Sequence, residues 1–236
     1  MKLSVLNRLQ ELRAEKTPVA ILSDLASGRQ ALMTTSETSG DLTITDAIRE
    51  QALRRLRHDA SGRLDQAADE QLFLQCHNPP LRLVIVGAVH IAQALAPVAA
   101  ITGYEVSVID PRRSFASPDR FPGVEVICDW PDEALERISP DARTAVITLT
   151  HDPKLDDPAL HIALRSEAFY IGCLGSRRTH GLRLQRLHDA GFSEADTDRI
   201  HGPLGLPIGA RSPQEIAISA LSQVIGKRHK PVSDEG

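Results

Sequence analysis

Aromatic side chains are scarce in this 236-residue chain: five Phe, two Tyr and one Trp make up 3% of it. Its core must therefore be aliphatic, and a binder of single-stranded nucleic acid would lack stacking platforms. Cysteine is also sparse. Cys76, Cys128 and Cys173 show no C-x-x-C spacing, so they define no zinc site by themselves. An odd number is a poor disulfide framework. A strong excess of either charge is missing too: a formal net charge of −4 and a pI near 6.1 create no strong field toward nucleic acid or an anionic membrane. The longest apolar stretch, 91–101, is interrupted by Gln93 and Pro97 and falls short of the roughly 20 residues a membrane span needs. Arg8, Glu11 and Arg13 stand where a signal peptide needs an apolar run. The expectation is a cytoplasmic protein in a reducing setting, with no nucleic-acid and no membrane partner.

What is present suits a globular protein: 42% apolar and 25% charged residues, enough chain for one large domain or two small ones. Asn78-Pro79-Pro80 divides it, since paired prolines continue neither a helix nor a central strand. Residues 1–78 predict a small α+β domain. Leu3, Leu6, Leu9 and Leu12 mark a first helix, PVAILSDL and RQALMTT two strands around a turn at Ala26-Ser27-Gly28, SETSGD a polar loop, 46–58 a second helix and 71–76 a strand. Residues 79–226 read as strands alternating with helices. The strands are LRLVIVG, EVSVID, VEVIC, TAVITLT and FYIGCLG; a last helix is capped at Ser212, with Pro213 in its first turn and Glu215 completing a capping box. That alternation predicts an α/β fold, a Rossmann-like, doubly wound, mostly parallel sheet. Residues 227–236 read as a flexible polar tail.

Chemistry concentrates at the predicted carboxyl ends of these strands, where open α/β sheets bind ligands. GAVHIA at 87–92 follows a buried strand and opens a helix, the place of a dinucleotide-binding turn whose free N–H groups attract phosphate. Gly87 begins it, His90 lies in it, and Asp110, at the end of the next strand, suits a ribose diol. Val89 replaces the fingerprint's second glycine, where a pyrophosphate would approach the backbone. Arg112 and Arg113 read as phosphate contacts or as solvated charges. His151 and Asp152 end the strand at 144–150, placed to bond a ligand, bind metal or move a proton; capping of the next helix is the competing role of Asp152. In GCLGSRRTH at 172–180, Gly172 and Gly175 let the backbone curl, and Ser176, Arg177 and Arg178 then offer a hydroxyl and two guanidinium groups to an anion. Cys173 reads as a reactive thiol, a soft metal contact or, more simply, a small buried side chain. Arg183 and Arg186 extend the basic run or form a solvated face. Gly205 and Gly209, in HGPLGLPIGARSP at 201–213, permit close backbone approach to a ligand or build a rigid connection.

PPLRLVIVGAVHIAQALAP, VSVIDPR, TLTHDPK, YIGCLGSRRTH and IHGPLGLPIGARSPQEIAISAL occur in that order. Together they resemble the XdhC/CoxI family, maturation factors of xanthine and carbon monoxide dehydrogenases, over about residues 72–226. The resemblance implies a C-terminal Rossmann domain and binding of the molybdenum cofactor, molybdopterin with its dithiolene and phosphate. It implies a chaperone that protects the cofactor, assists its sulfuration by a cysteine desulfurase, and delivers it to a molybdenum hydroxylase client. It assigns the phosphate to Gly175, Ser176, Arg177 and Arg178, the pterin or a nucleotide extension to His151, Asp152 and Asp110, and a contact from the first turn to His90. The segment resembling V-x-T-x-G-S-x-P-R in longer members reads AILSDLASGRQAL here, without the Pro or the full Gly-Ser pair. The N-terminal part is then expected to support a homodimer or a docking surface, or the chain to work beside a related accessory protein. Two other functions compete: an NAD(P)-dependent oxidoreductase using Gly87 and Asp110, and a nucleotide-binding module without chemistry.

Overall fold

Continuous apolar runs such as VAIL and LRLVIV need cover on both faces, and the computed structural model, which describes residues 2–64 and 71–229, supplies it twice. The chain divides into two compact units between Pro79 and Pro80. In the first, α1 (Leu3–Ala14), β1 (Val19–Asp24), β2 (Gln30–Met33), β3 (Thr38–Gly40), α2 (Asp46–Arg57), β4 (Gly62–Arg63) and β5 (Leu72–His77) follow one another. The strands form an antiparallel sheet of order β3-β2-β1-β5-β4. Alternate residues of β1 point to opposite faces. Val19 and Ile21 meet Val5, Leu9 and Leu12 of α1, while Ala20 and Leu22 meet Ala52 and Leu56 of α2. The buried stripe of α1 is thus Val5-Leu9-Leu12, not the three-residue leucine series, and Leu3 is 72% exposed. A spacing of four then three follows a 3.6-residue turn, which a strict spacing of three leaves behind. The expected polar loop at 36–41 holds the exposed edge strand β3.

The second unit comprises β6 (Leu81–Val86), α3 (His90–Ile101), β7 (Tyr104–Ile109), β8 (Glu125–Ile127), α4 (Pro131–Ile138), β9 (Thr144–Thr148), α5 (Pro153–Arg165), β10 (Tyr170–Cys173), α6 (Arg177–Asp189), α7 (Glu194–Thr197), β11 (Ile200–His201) and α8 (Pro213–Arg228). Its six strands are all parallel, in the order β11-β10-β9-β6-β7-β8. Helices α3 and α8 pack Leu95, Ala99, Ala217 and Val224 on one face over Leu83, Ile85 and Val108. Helices α4, α5 and α6 pack Leu135, Leu160, Ala163 and Leu187 on the other over Val84, Val86 and Val146. The fold is α/β, a doubly wound parallel sheet, with a separate antiparallel sheet in the first unit. The last helix carries the capping box its sequence announced, Ser212 Oγ accepting from Glu215 N–H and the Glu215 carboxylate accepting from Ser212 N–H. It runs on through Lys227 and Arg228, which the expected tail had claimed; residues 230–236 of that tail lie outside the described residues.

The chain leaves β6 toward β7 on one side and returns through β9 on the other. The switch point, where a crevice opens at the carboxyl ends of the strands, lies between β6 and β9.

Candidate functional site at the carboxyl ends of the strands

Gly87 opens the first turn with φ +108°, and a Cβ there would lie 2.5 Å from Thr150 Cγ2. This glycine therefore lets the first turn pass against the end of β9. Val89 is the N-cap of α3 but gives it no side-chain cap. It is half-buried against the core, so its side chain does not stand wholly in the path of a ligand as its place in the fingerprint suggested. His90 begins α3 and is exposed.

Asp110 is fully buried. Its Oδ2 accepts from Ala88 N–H at 2.9 Å and from Arg112 Nη2 at 2.7 Å. Its Oδ1 accepts from Arg112 N–H at 3.0 Å and Nε at 2.8 Å. Burial pushes this carboxyl up, but these donors together outweigh it and hold the group below its ordinary range. Arg112 also lies over the Phe115 ring, 4.1 Å from its centroid. Both oxygens that a ribose diol would need are engaged within the protein.

Across β6, the loop after β9 carries His151 and Asp152. His151 is exposed and takes φ +62°, a left-handed conformation rare for a non-glycine residue and concentrated where function holds it. Asp152 is exposed and caps α5, its carboxylate accepting from Lys154 N–H at 3.0 Å. Its charge also bears on Arg112, so the loops after β7 and β9 face each other.

The loop after β10 begins at Cys173. This thiol is fully buried, and burial pushes it up to about 11 against the opposing influence of Arg183 and Thr148. A nucleophile or metal ligand needs the thiolate, so the small buried side chain is the role the geometry supports. A Cβ on Gly172 would strike the Tyr170 ring and Leu204. Gly175 has φ +143° and leads into Ser176, the N-cap of α6, whose Oγ accepts from Thr179 N–H at 3.1 Å. Arg177 and Arg178 are exposed in the first turn of α6, where amides lack helical partners and the helix dipole is positive.

The 201–213 loop crosses this end of the sheet. Leu204 N–H donates to Cys173 O at 2.9 Å, and Gly205 N–H to Gln223 Oε1 at 2.9 Å. Gly205 has φ +98°, and its absent Cβ leaves room for Ser219 of α8, whereas Gly209 is exposed with open space around it. The candidate residues thus fall into four loops, after β6, β7, β9 and β10, plus this strap. Among the described residues, no group of three or more His, Cys, Asp or Glu is arranged to hold a metal ion. A cavity of about 420 Å³ lies at the opposite end of the sheet, lined by the ends of α5 and α6 with Phe192 and Asp196.

The sequence reading missed Asp156 and left Arg183 either as part of the basic run or on a solvated face. Both are buried to 1% exposure. Asp156 Oδ1 accepts from Thr150 Oγ at 2.6 Å, and Arg183 Nη2 donates to Leu174 O at 3.0 Å. Burial pushes the Asp156 carboxyl up, with Thr150 and Arg183 opposing. The available signal was position: Arg183 shares the buried stripe of α6 with Leu187, one helical repeat away.

A doubly wound parallel sheet with basic and polar loops gathered at its switch point defines a Rossmann-type domain. The profile of the XdhC Rossmann domain matches residues 83–224, and the chain belongs to that family. The molybdenum cofactor insertion chaperone PaoD of Escherichia coli strain K12 is 38% identical over 150 residues, 64% of this chain and 41% of that protein. A protein of Bacillus subtilis strain 168, named as a probable xanthine dehydrogenase component, is 29% identical over 160 residues, 67% of this chain and 46% of that one. The chain therefore spans less than half the length of these curated relatives. The crystal structure of a xanthine dehydrogenase from Bacillus halodurans superposes with a TM-score of 0.74 at 26% identity, over 95% of this chain and 66% of that one. Among the described residues, no helix is long and apolar enough to cross a membrane.

Proposed function

We propose that this protein binds the molybdenum cofactor as cargo and inserts it into a molybdenum hydroxylase of the xanthine or carbon monoxide dehydrogenase type. One observation carries the reading: the loops after β6, β9 and β10 bring Gly87–His90, His151–Asp152 and Gly175–Arg178 to one end of the sheet. The name of the relative PaoD supports it. In this reading Arg177, Arg178 and the amides of the first turn of α6 take the phosphate of molybdopterin by charge-assisted hydrogen bonds. His151 and Asp152 bond the edge of the pterin, His90 closes the site from the first turn, and the Gly205–Gly209 strap shields the dithiolene from water. Sulfuration by a cysteine desulfurase then takes place on the held cofactor, before transfer to the client. A partner copy or a related accessory protein belongs to the same proposal. Asp110 has no part in holding the cargo while Arg112 occupies it.

Native mass spectrometry of anoxically purified protein, exposed to freshly released cofactor with NADH as competitor, tests this. A cofactor adduct that NADH does not displace, weakened in Arg177→Ala/Arg178→Ala, is expected. An NADH adduct without a cofactor adduct would reverse the reading in favour of a nicotinamide-dependent oxidoreductase. A nucleotide adduct alone would indicate a binding module.

A further inference from the structure

Arg183 is anomalous for a buried charge. The guanidinium makes one hydrogen bond, to Leu174 O, and its Nε and Nη1 are sealed from solvent without a hydrogen-bond partner among the described residues. Asp156 faces it at 3.6 Å, beyond hydrogen-bond reach. A buried donor left unmade costs about 1–3 kcal/mol, more when charged, so two on one side chain call for a partner. The direction is informative. Side chains of a helix lean toward its N-terminus, and Arg183 reaches back from the second turn of α6 to the last residues before the helix. The guanidinium therefore lies beneath the Leu174–Ser176 turn, on the inner side of the helix N-terminus whose outer side carries Arg177 and Arg178.

We propose that Arg183 is the inner wall of an oxyanion site that takes a phosphoryl oxygen on an unpartnered guanidinium nitrogen, with the N-terminus of α6 as its rim. This deepens the cradle of the proposed function and rests on it: the residue that decides affinity is the buried arginine, not the two exposed ones. A desolvated guanidinium donor makes a charge-assisted hydrogen bond to a phosphoryl oxygen that water and salt do not screen, while exposed arginines exchange with both. Access requires the turn at Gly175 to lift. Asp156 competes weakly for the guanidinium, because burial disfavours its charge and its Oδ1 is already committed to Thr150.

Inorganic phosphate titrated calorimetrically into the full chain is the test, with thermal unfolding as the check on folding. The wild type is expected to take up one phosphate, and phosphate to raise its unfolding midpoint by linkage. Arg183→Met with Asp156→Leu replaces the buried pair by apolar side chains, a swap proteins often tolerate. Affinity for phosphate should fall by about tenfold or more while unfolding stays cooperative. Arg183→Lys keeps the charge and loses the planar set of donors, with a smaller loss expected. Wild-type affinity in the double variant overturns the assignment, as does absence of phosphate uptake by the wild type. Should the double variant fail to fold, unchanged affinity in Arg183→Lys overturns it instead. Failure of the cofactor reading looks different: phosphate binding would depend on Arg183, yet no molybdenum cofactor adduct would form.

Discussion

Gly87→Ala tests whether the switch point is assembled as described. Two costs coincide there. The backbone has φ +108°, a left-handed conformation that costs an L side chain about 1–2 kcal/mol. The new Cβ would also stand 2.5 Å from Thr150 Cγ2, and overpacking of that kind costs about 1–3 kcal/mol. Together they predict a loss of roughly 2–5 kcal/mol. Thr150→Ser removes the offending methyl and keeps the hydroxyl that bonds Asp156. The double variant should recover about 1–2 kcal/mol of the loss, the steric part alone, because the backbone cost and a 3.4 Å approach to Thr150 N persist. Trp130, the sole tryptophan, lies in the second unit, so its fluorescence during urea unfolding isolates the relevant transition. A Gly87→Ala variant within about 1 kcal/mol of wild type, or a double variant no more stable than the single, would refute the packing of the first turn on the end of β9.

Three further outcomes are expected. Asp110 has a folded pKa below its unfolded value of about 3.9; its stabilisation is present above that value and is lost as pH falls through the depressed folded one. Asp110→Asn should therefore lower stability at neutral pH and flatten the acid limb, read from urea midpoints across pH. His151→Gly removes left-handed strain at φ +62° and adds glycine's entropy cost, so stability should hold or rise by up to about 1 kcal/mol. Cofactor retention should nevertheless fall, and retention at wild-type level would remove His151 from the site. Ser176→Ala deletes the cap of α6 and should cost about 1 kcal/mol by thermal or chemical unfolding.

Much of this architecture was legible because its signals are local. Alternating buried strands and amphipathic helices identified the α/β unit, and Ser212-Pro213-Glu215 located the start of α8 by cap chemistry alone. Short edge elements were not legible. β11 has two residues, and its place is set by pairing Ile200 with Ile171 of β10, a relation no local pattern carries. Helix α5 starts at Pro153, because Asp152 caps it and proline is tolerated at a first helical position. The polar residues divide the same way. Exposed Arg177 and Arg178 stood out as a pair of neighbours, whereas Arg183 reads as one more charge until tertiary packing buries it.

The same contrast explains how a dinucleotide-type turn can serve a different ligand. A Rossmann sheet fixes where ligands bind, not which ones. The acidic residue after β7 is present, but Arg112 closes it with two side-chain hydrogen bonds, at 2.8 and 2.7 Å, and stacks on Phe115. A ribose diol would have to displace all of these while leaving Arg112 beside a buried carboxylate it no longer neutralises, which is costly. Across the switch point, the loop after β10 and the start of α6 present donors that are not committed in this way: the first two amides of α6, the Arg177 and Arg178 side chains and, behind them, the unpartnered nitrogens of Arg183. In the proposed reading the anion is therefore held at the end of β10 rather than at the first turn, and selectivity for a phosphorylated ligand without a recognised ribose is what that arrangement predicts.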